Sequence, residues 1–289
     1  MIDIIQDRIE DILSLLENVG YFLINERNKH QYQTYLKDDK SLLTDLDIAS
    51  DLLIKDGLKS LFGNIAILSE ENDINDNINI AKAGKCFFLL DPLDGTKSFT
   101  NDGEFTINLA FCIQKQPMLS FIHSPTRKTM LFGDKDKAFV RTNGTIKKLM
   151  KIKKSNLVYN QTMLKSNNAS TNIKITCGSG FYNHCCQKMI TFLQQKQYNI
   201  TMHNIIVSPS MNKIFDFTLN KCDACIFSNV CKDWDVLPAI PILEAIGAKY
   251  IVSYRDIFAD NNFNQPQFLV AKNDIILENL QDLLRHIEN

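Results

Sequence analysis

Residues 85–99 read Lys85-Cys86-Phe87-Phe88-Leu89-Leu90-Asp91-Pro92-Leu93-Asp94-Gly95-Thr96-Lys97-Ser98-Phe99, and the change of character at Asp91 governs how the rest of the chain is read. Five consecutive apolar residues, Cys86 to Leu90, predict a strand buried on both faces. Pro92 cannot donate to a sheet ladder, so the chain is expected to leave the strand there and turn, with Asp91 and Asp94 near the strand's carboxyl end. Open α/β sheets keep their chemistry at that edge. Two carboxylates beside an apolar strand repel each other and are costly to bury without a cation or hydrogen-bond donors. Asp91, Asp94 and the Leu93 carbonyl offer only oxygen, a set that suits Mg²⁺ rather than zinc or copper. At Gly95 and Thr96 backbone amides can approach an anion at a helix start. A phosphate bridged to metal is the implied ligand; an Asp-rich surface turn is the competing reading.

Two further acidic pieces lie on either side. Upstream, Ile65-Ala66-Ile67-Leu68 predicts a short strand that delivers Ser69-Glu70-Glu71 at its end. Downstream, the single tryptophan stands beside an acid in Lys232-Asp233-Trp234-Asp235. The ordered set S-E-E, D-P-L-D-G-T and W-D resembles the lithium-sensitive, magnesium-dependent phosphatases of the inositol monophosphatase superfamily, from Asp47 to beyond Glu244.

The resemblance implies an α+β fold, a layered α-β-α-β-α sandwich of the sugar-phosphatase type, with the pocket where two halves meet. It further implies that Glu70, Asp91, the Leu93 carbonyl, Asp94 and Asp235 hold two or three Mg²⁺ ions. Asp47, which matches the acid of the family's Thr-x-x-Asp, would then be hydrogen-bonded to Thr96 and take the proton of a metal-activated water that attacks phosphorus directly. Asp91 or Asp94 acting as nucleophile is the formal alternative. Asp45 matches less well and reads as a solvated acid. Ser69 stands where the family commonly has glycine, and Pro238 replaces the first alanine of Trp-Asp-x-x-Ala-Ala, a change the first turn of a helix accepts.

Lys97 and the run Gly103-Glu104-Phe105-Thr106 are more similar to bacterial 3'(2'),5'-bisphosphate nucleotidases than to inositol monophosphatases. Ser210-Met211-Asn212-Lys213 resembles the nucleotidase Ser-Ser-Leu-Lys. On this basis Leu93, Asp94, Gly95, Thr96, Ser179, Lys213 and Asp235 are the expected substrate contacts. Cys225-Ile226-Phe227 stands where the nucleotidases carry Tyr-Pro-Arg, so a bidentate phosphate fork is lost. The expected reaction removes the 3'-phosphate of adenosine 3',5'-bisphosphate to give AMP and phosphate. The alternatives are an inositol monophosphatase, a fructose 1,6-bisphosphate phosphatase and, in another class, a non-catalytic anion-binding protein.

Composition agrees with a small-molecule enzyme. The 289 residues are 45% hydrophobic and 22% charged with a net charge of -1, enough for a substantial core and without the basic field that draws nucleic acid or anionic membrane. The expected partner is a small phosphorylated metabolite, with a homodimer possible, and with no nucleic-acid polymer and no integral membrane segment. No apolar stretch approaches the roughly 20 residues of a membrane span. Acids among the apolar residues of 1–20 argue against an export peptide, which predicts a cytoplasmic protein with eight reduced thiols. Cys222-x-x-Cys225 with Cys231 is an incomplete zinc half-site in apolar surroundings.

Along the rest of the chain, Ile2, Ile5, Ile9, Ile12, Leu13 and Leu16 predict an amphipathic helix that Gly20 need not end. Thr44 or Asp45 caps a second helix, with Ile48, Leu52 and Leu53 on its buried face. Residues 72–84 read as an exposed polar connector. Phe105 to Phe132 predicts a meander of strands, and Lys147–Lys154 a solvated basic run at the crossing between halves. Strand and helix then alternate from Ile173 to Val207. The expected organisation is an N-terminal α+β domain, 1–150, carrying most metal ligands, and a C-terminal α/β domain, 151–289, contributing Asp235 and substrate contacts.

Overall fold

The computed structural model describes residues 1–37, 40–152, 171–227, 231–252, 263–265 and 267–288. Two sheets form its frame. Strands β1 (Ala66–Ser69), β2 (Cys86–Asp94), β3 (Thr106–Ile113), β4 (Gln116–Ser124), β5 (Thr129–Gly133), β6 (Ala138–Thr142) and β7 (Thr145–Lys148) lie side by side in chain order. β1 and β2 are parallel, and every later pair is antiparallel, as in the predicted meander. The second sheet holds β8 (Ile175–Cys177), β9 (Ile205–Val207), β10 (Ala224–Phe227), β11 (Lys249–Val252) and β12 (Phe268–Ala271) in the order β9-β8-β10-β12-β11. Its first three strands are parallel, and β12 opposes both neighbours.

Helices cover both sheets, which gives the α-β-α-β-α layering. Helices Ile9–Lys29 and Asp45–Phe62 lie on the outer face of the first sheet. Asn212–Thr218 and Ile240–Ile246 fill the space between the sheets, while Ser179–Gln195 and Asp274–Glu288 pack outside the second. Strand β2 is apolar because it is covered twice. Phe88 and Leu90 enter the core beneath the first pair of helices, and Phe87 and Leu89 pack with Trp234 and Leu237 on the other side.

The N-terminal stripe is divided between two helices, Ile2–Gln6 and Ile9–Lys29, rather than carried by one; Ile5, Ile12, Leu13 and Leu16 are buried, and the second helix continues through Gly20. A Cβ at Gly20 would stand 2.6 Å from His123 Nε2, so the helix approaches β4 closely there. Among the described residues no helix is long and apolar enough to cross a membrane. The boundary expected at 150 falls just before residues 153–170, and Lys153 and Lys154 of the basic run lie outside the described residues; Lys147 and Lys148 are exposed on β7.

Three local expectations are corrected. The chain does not leave the sheet at Pro92: β2 runs on to Asp94 through a register irregularity between Asp91 and Asp94, where a residue without an N–H is tolerated. Asp91 therefore pairs with Asn108, and Asp94 with Thr106. Second, Ile48, Leu52 and Leu53 are exposed on the Asp45–Phe62 helix. The helix instead buries Leu46, Asp47, Ser50, Asp51, Ile54 and Leu58, because its polar residues are bonded inward. Ser50 Oγ donates to the Pro92 carbonyl at 2.7 Å, and Asp51 accepts from Ser69 Oγ at 2.6 Å. Third, residues 74–83 form a helix, capped by Asp73 at its start and by left-handed Gly84 at its end. It is the crossover that joins parallel β1 to β2. Its Asn77 is buried, accepting from the Ser69 amide at 3.2 Å and donating to the Ser69 carbonyl at 2.7 Å.

Candidate active site

Four segments meet at one cavity of about 400 Å³. The β1 end supplies Glu70; the β2 end supplies Asp91, Leu93, Asp94, Gly95, Thr96 and Lys97; the helix start at Asp233 supplies Trp234 and Asp235 with Lys232 before it; and Lys40, Ser41 and Leu42 complete the wall. Glu70, Asp91 and Asp235 each offer an oxygen within 4.8 Å of the other two.

Asp91 is almost fully buried. Its Oδ1 accepts the Leu93 N–H at 3.1 Å, but among the described residues its Oδ2 has no hydrogen-bond donor. Burial, together with the charges of Glu70, Asp94 and Asp235, drives its pKa well above the usual carboxylate range. Burial and the facing charges of Asp94 and Glu70 do the same to Asp235, against a hydrogen bond from the Lys232 amide at 2.7 Å. Such a group of acids is strained unless a cation neutralises it. The orphaned oxygen of Asp91 and the all-oxygen donor set fit a hard divalent ion; Glu70, Asp91 and Asp235 are the residues whose oxygens lie close enough together to hold it, with Asp94 in the same wall. The Leu93 carbonyl lies in the same wall.

Asp94 stands apart from the other acids in how firmly it is held. Its Oδ2 accepts from Thr106 Oγ1 at 3.1 Å, Asn108 Nδ2 at 3.1 Å and the Met211 N–H at 2.9 Å. Glu70 is oriented by Trp234, whose indole Nε1 donates to Oε2 at 3.1 Å, and by Lys37, whose Nζ lies 2.8 Å from Oε1. Lys37 also pairs with Glu71 at 2.9 Å. Burial alone would lower the Lys37 pKa, but the two glutamates raise it, while burial and Glu70 push Glu71 up to about 7.

Asp47 and Thr96 are joined as the resemblance implies, Thr96 Oγ1 donating to Asp47 Oδ1 at 2.9 Å. Thr44 caps the helix and at the same time fixes the other oxygen: its amide and hydroxyl reach Asp47 Oδ2 at 2.8 and 2.5 Å. Capping and orientation of Asp47 are thus one structure. Burial raises the Asp47 pKa against these hydrogen bonds, which makes it a better proton acceptor.

Two expected contacts lie elsewhere. Ser179 is the exposed first residue of the Ser179–Gln195 helix and is not in the cavity wall. Lys213 is buried, its Nζ donating to the Ser208 carbonyl at 3.3 Å and lying 4.3 Å from the centre of the Phe227 ring. Phe227, at the position of the missing arginine, thus stacks beneath this ammonium. Lys37, Thr106, Asn108, Ser210 and Met211 were not anticipated as site residues. For Thr106 and Asn108 a signal existed: they alternate with Phe105, Ile107 and Leu109 and so share the opposite face of β3.

The sequence model of the Inositol monophosphatase family matches residues 10–288. The chain is 32% identical over 143 residues to the 3'(2'),5'-bisphosphate nucleotidase CysQ of Salmonella typhimurium, covering 49% of this chain and 57% of that protein. Against CysQ of Escherichia coli K12 it is 34% identical over 114 residues, 39% of this chain and 46% of that one. The matches thus span about half the length of these curated relatives. Among solved structures, an IMPase from Thermotoga maritima is similar at a TM-score of 0.68 and 20% identity, over 98% of both chains. CysQ from Bacteroides thetaiotaomicron gives 0.66 and 20%, over 93% of this chain and 98% of that one. At these identities the structural likeness shows the fold.

Proposed function

Because the chain belongs to the inositol monophosphatase family, we propose that its acidic cavity hydrolyses phosphomonoesters and that the substrate is adenosine 3',5'-bisphosphate, which loses its 3'-phosphate to give AMP. The observation that carries this reading is Asp91, a buried carboxylate with an oxygen that lacks a donor among the described residues, packed among Glu70, Asp94 and Asp235. Divalent metal, Mg²⁺ by the donor set, supplies charge neutralisation and water activation when bound. The chain's own residues do the rest. Thr96 takes the proton of the attacking water as it passes its own to Asp47 Oδ1, the oxygen it already contacts. The amides around Gly95 and Thr96 approach the phosphate, and Trp234 walls the cavity while holding Glu70. The choice of a nucleotide is supported by the named relatives and by the Gly103-Glu104-Phe105-Thr106 run.

A second reading, an inositol- or sugar-monophosphate phosphatase, is favoured by Phe227, which cannot fork a second phosphate. Phosphate release from adenosine 3',5'-bisphosphate, inositol 1-phosphate and fructose 1,6-bisphosphate, each with Mg²⁺ or EDTA, separates the two. Metal-dependent turnover with the highest kcat/KM on the nucleotide is expected. Turnover highest on inositol 1-phosphate would transfer the assignment to the second reading, and no turnover of any of the three would reject both.

A further inference from the structure

The two turns that meet at Asp94, at Gly95 and at Ser210, are distant in sequence and fit together tightly. Gly95 has φ +96° and Ser210 has φ +53°, so a serine occupies the left-handed region that favours glycine. A Cβ at Gly95 would stand 2.0 Å from Ser210 Oγ, so glycine is required there for room as well as for backbone angle. The same Ser210 hydroxyl donates to the Asp94 carbonyl at 2.9 Å, and the next amide, Met211 N–H, donates to Asp94 Oδ2 at 2.9 Å. On the other side Thr106 and Asn108 donate to that same Oδ2. Three donors thus converge on one oxygen, and among the described residues none reaches Oδ1, although Asp94 forms part of the cavity wall.

The serine turn is itself held in place. Asn212 accepts from Ser124 Oγ at 2.7 Å, and Arg127 binds the Asn212 carbonyl at 3.4 Å, Asp216 at 2.7 Å and Glu104 at 2.7 Å. The helix following the turn is therefore tied to the first sheet at several points, and the turn cannot drift from Asp94 without breaking them.

We infer that Thr106, Asn108 and the Ser210–Met211 turn are positioning residues that make Asp94 a one-sided ligand, its Oδ2 held by the protein and its Oδ1 presented to the metal. This gives Ser210 a role distinct from a substrate contact. It rests on the reading of Asp94 as a metal ligand. Partners behind a ligating carboxylate set its orientation, and removing them weakens metal binding by roughly 10–100-fold.

Magnesium affinity measured by titration calorimetry on the full chain without substrate tests the inference. Thr106→Val keeps the shape and removes the donor; Thr106→Ser keeps the donor; Ser210→Ala removes the hydroxyl. Thr106→Val and Ser210→Ala are expected to weaken Mg²⁺ binding by roughly tenfold or more, with the thermal midpoint without metal little changed, and Thr106→Ser to recover most of the affinity. Wild-type Mg²⁺ affinity in Ser210→Ala and Thr106→Val, with KM for the phosphomonoester raised instead, would overturn the inference and make Ser210 a substrate contact. Affinity lost equally in Thr106→Ser and Thr106→Val, in step with a fallen midpoint, would also overturn it, as general loosening. If the wild-type chain binds no Mg²⁺, the metal centre itself is rejected and the inference with it.

Discussion

Asp91 concentrates the tension of the site in one side chain. It is buried, crowded by Glu70, Asp94 and Asp235, and among the described residues one of its oxygens has no donor. Removing its charge relieves repulsion and also removes a ligand, so stability and activity should move in opposite directions. Asp91→Asn is expected to lose activity on the order of 10³-fold or more while its thermal midpoint in EDTA rises; an enzyme with near-normal turnover would refute the assignment. His123 raises a separate question, far from the acids. It lies on β4 against Gly20, and burial lowers its pKa to about 4, offset only in part by a backbone hydrogen bond to Thr129. The unfolded chain binds the proton more readily, so His123 costs no stability above pH 6.5 and an increasing amount as pH falls toward 4. The full difference is about 3 kcal/mol. His123→Gln should therefore flatten the fall of urea midpoint between pH 7 and pH 5, and an unchanged slope would count against it.

At the scale of elements, the ends of the apolar strands were the most legible part. Glu70 follows the last residue of β1, Asp91 and Asp94 close β2 after its five apolar residues, and Asp235 could be found beside the single tryptophan. What could not be read were elements whose buried face is polar. The Asp45–Phe62 helix turns Ser50 and Asp51 inward to bond Pro92 and Ser69, leaving Ile48, Leu52 and Leu53 outside, the reverse of what apolar spacing predicts. The crossover helix Ile74–Ala83 escaped notice for the same reason: its key inward residue is Asn77. Asn77→Ala would leave the buried amide and carbonyl of Ser69, next to Glu70, without their side-chain partner. A loss of roughly 3 kcal/mol is expected, read as a lower urea midpoint; a loss below 0.5 kcal/mol, the level of ordinary surface changes, would mean that another group takes over those bonds. Lys213 shows a further limit, since its place in a motif gave no sign that its ammonium would lie over the Phe227 ring.

The molecule as a whole is two covered sheets with an acidic seam between segments distant in sequence, and binding a cation there should stabilise the entire fold by mass action. With Mg²⁺ at about 100 times its Kd, the folded state gains about 2.7 kcal/mol, a rise of roughly 5 °C in thermal midpoint for a chain of this size. EDTA should abolish the rise, and Asp91→Asn should abolish it as well. A midpoint indifferent to Mg²⁺ in the wild-type chain would contradict the proposed ligand set.

The dependence of Asp94 on a turn that lies 117 positions later has a consequence for biosynthesis. During translation, Glu70, Asp91 and Asp94 emerge long before Met211 and Asp235, so a half-made polypeptide carries three of the acids but neither the turn that braces Asp94 nor the fourth acid. On the proposed ligand set, ion capture would wait until the later strands have docked, and a nascent chain on the ribosome would be catalytically silent.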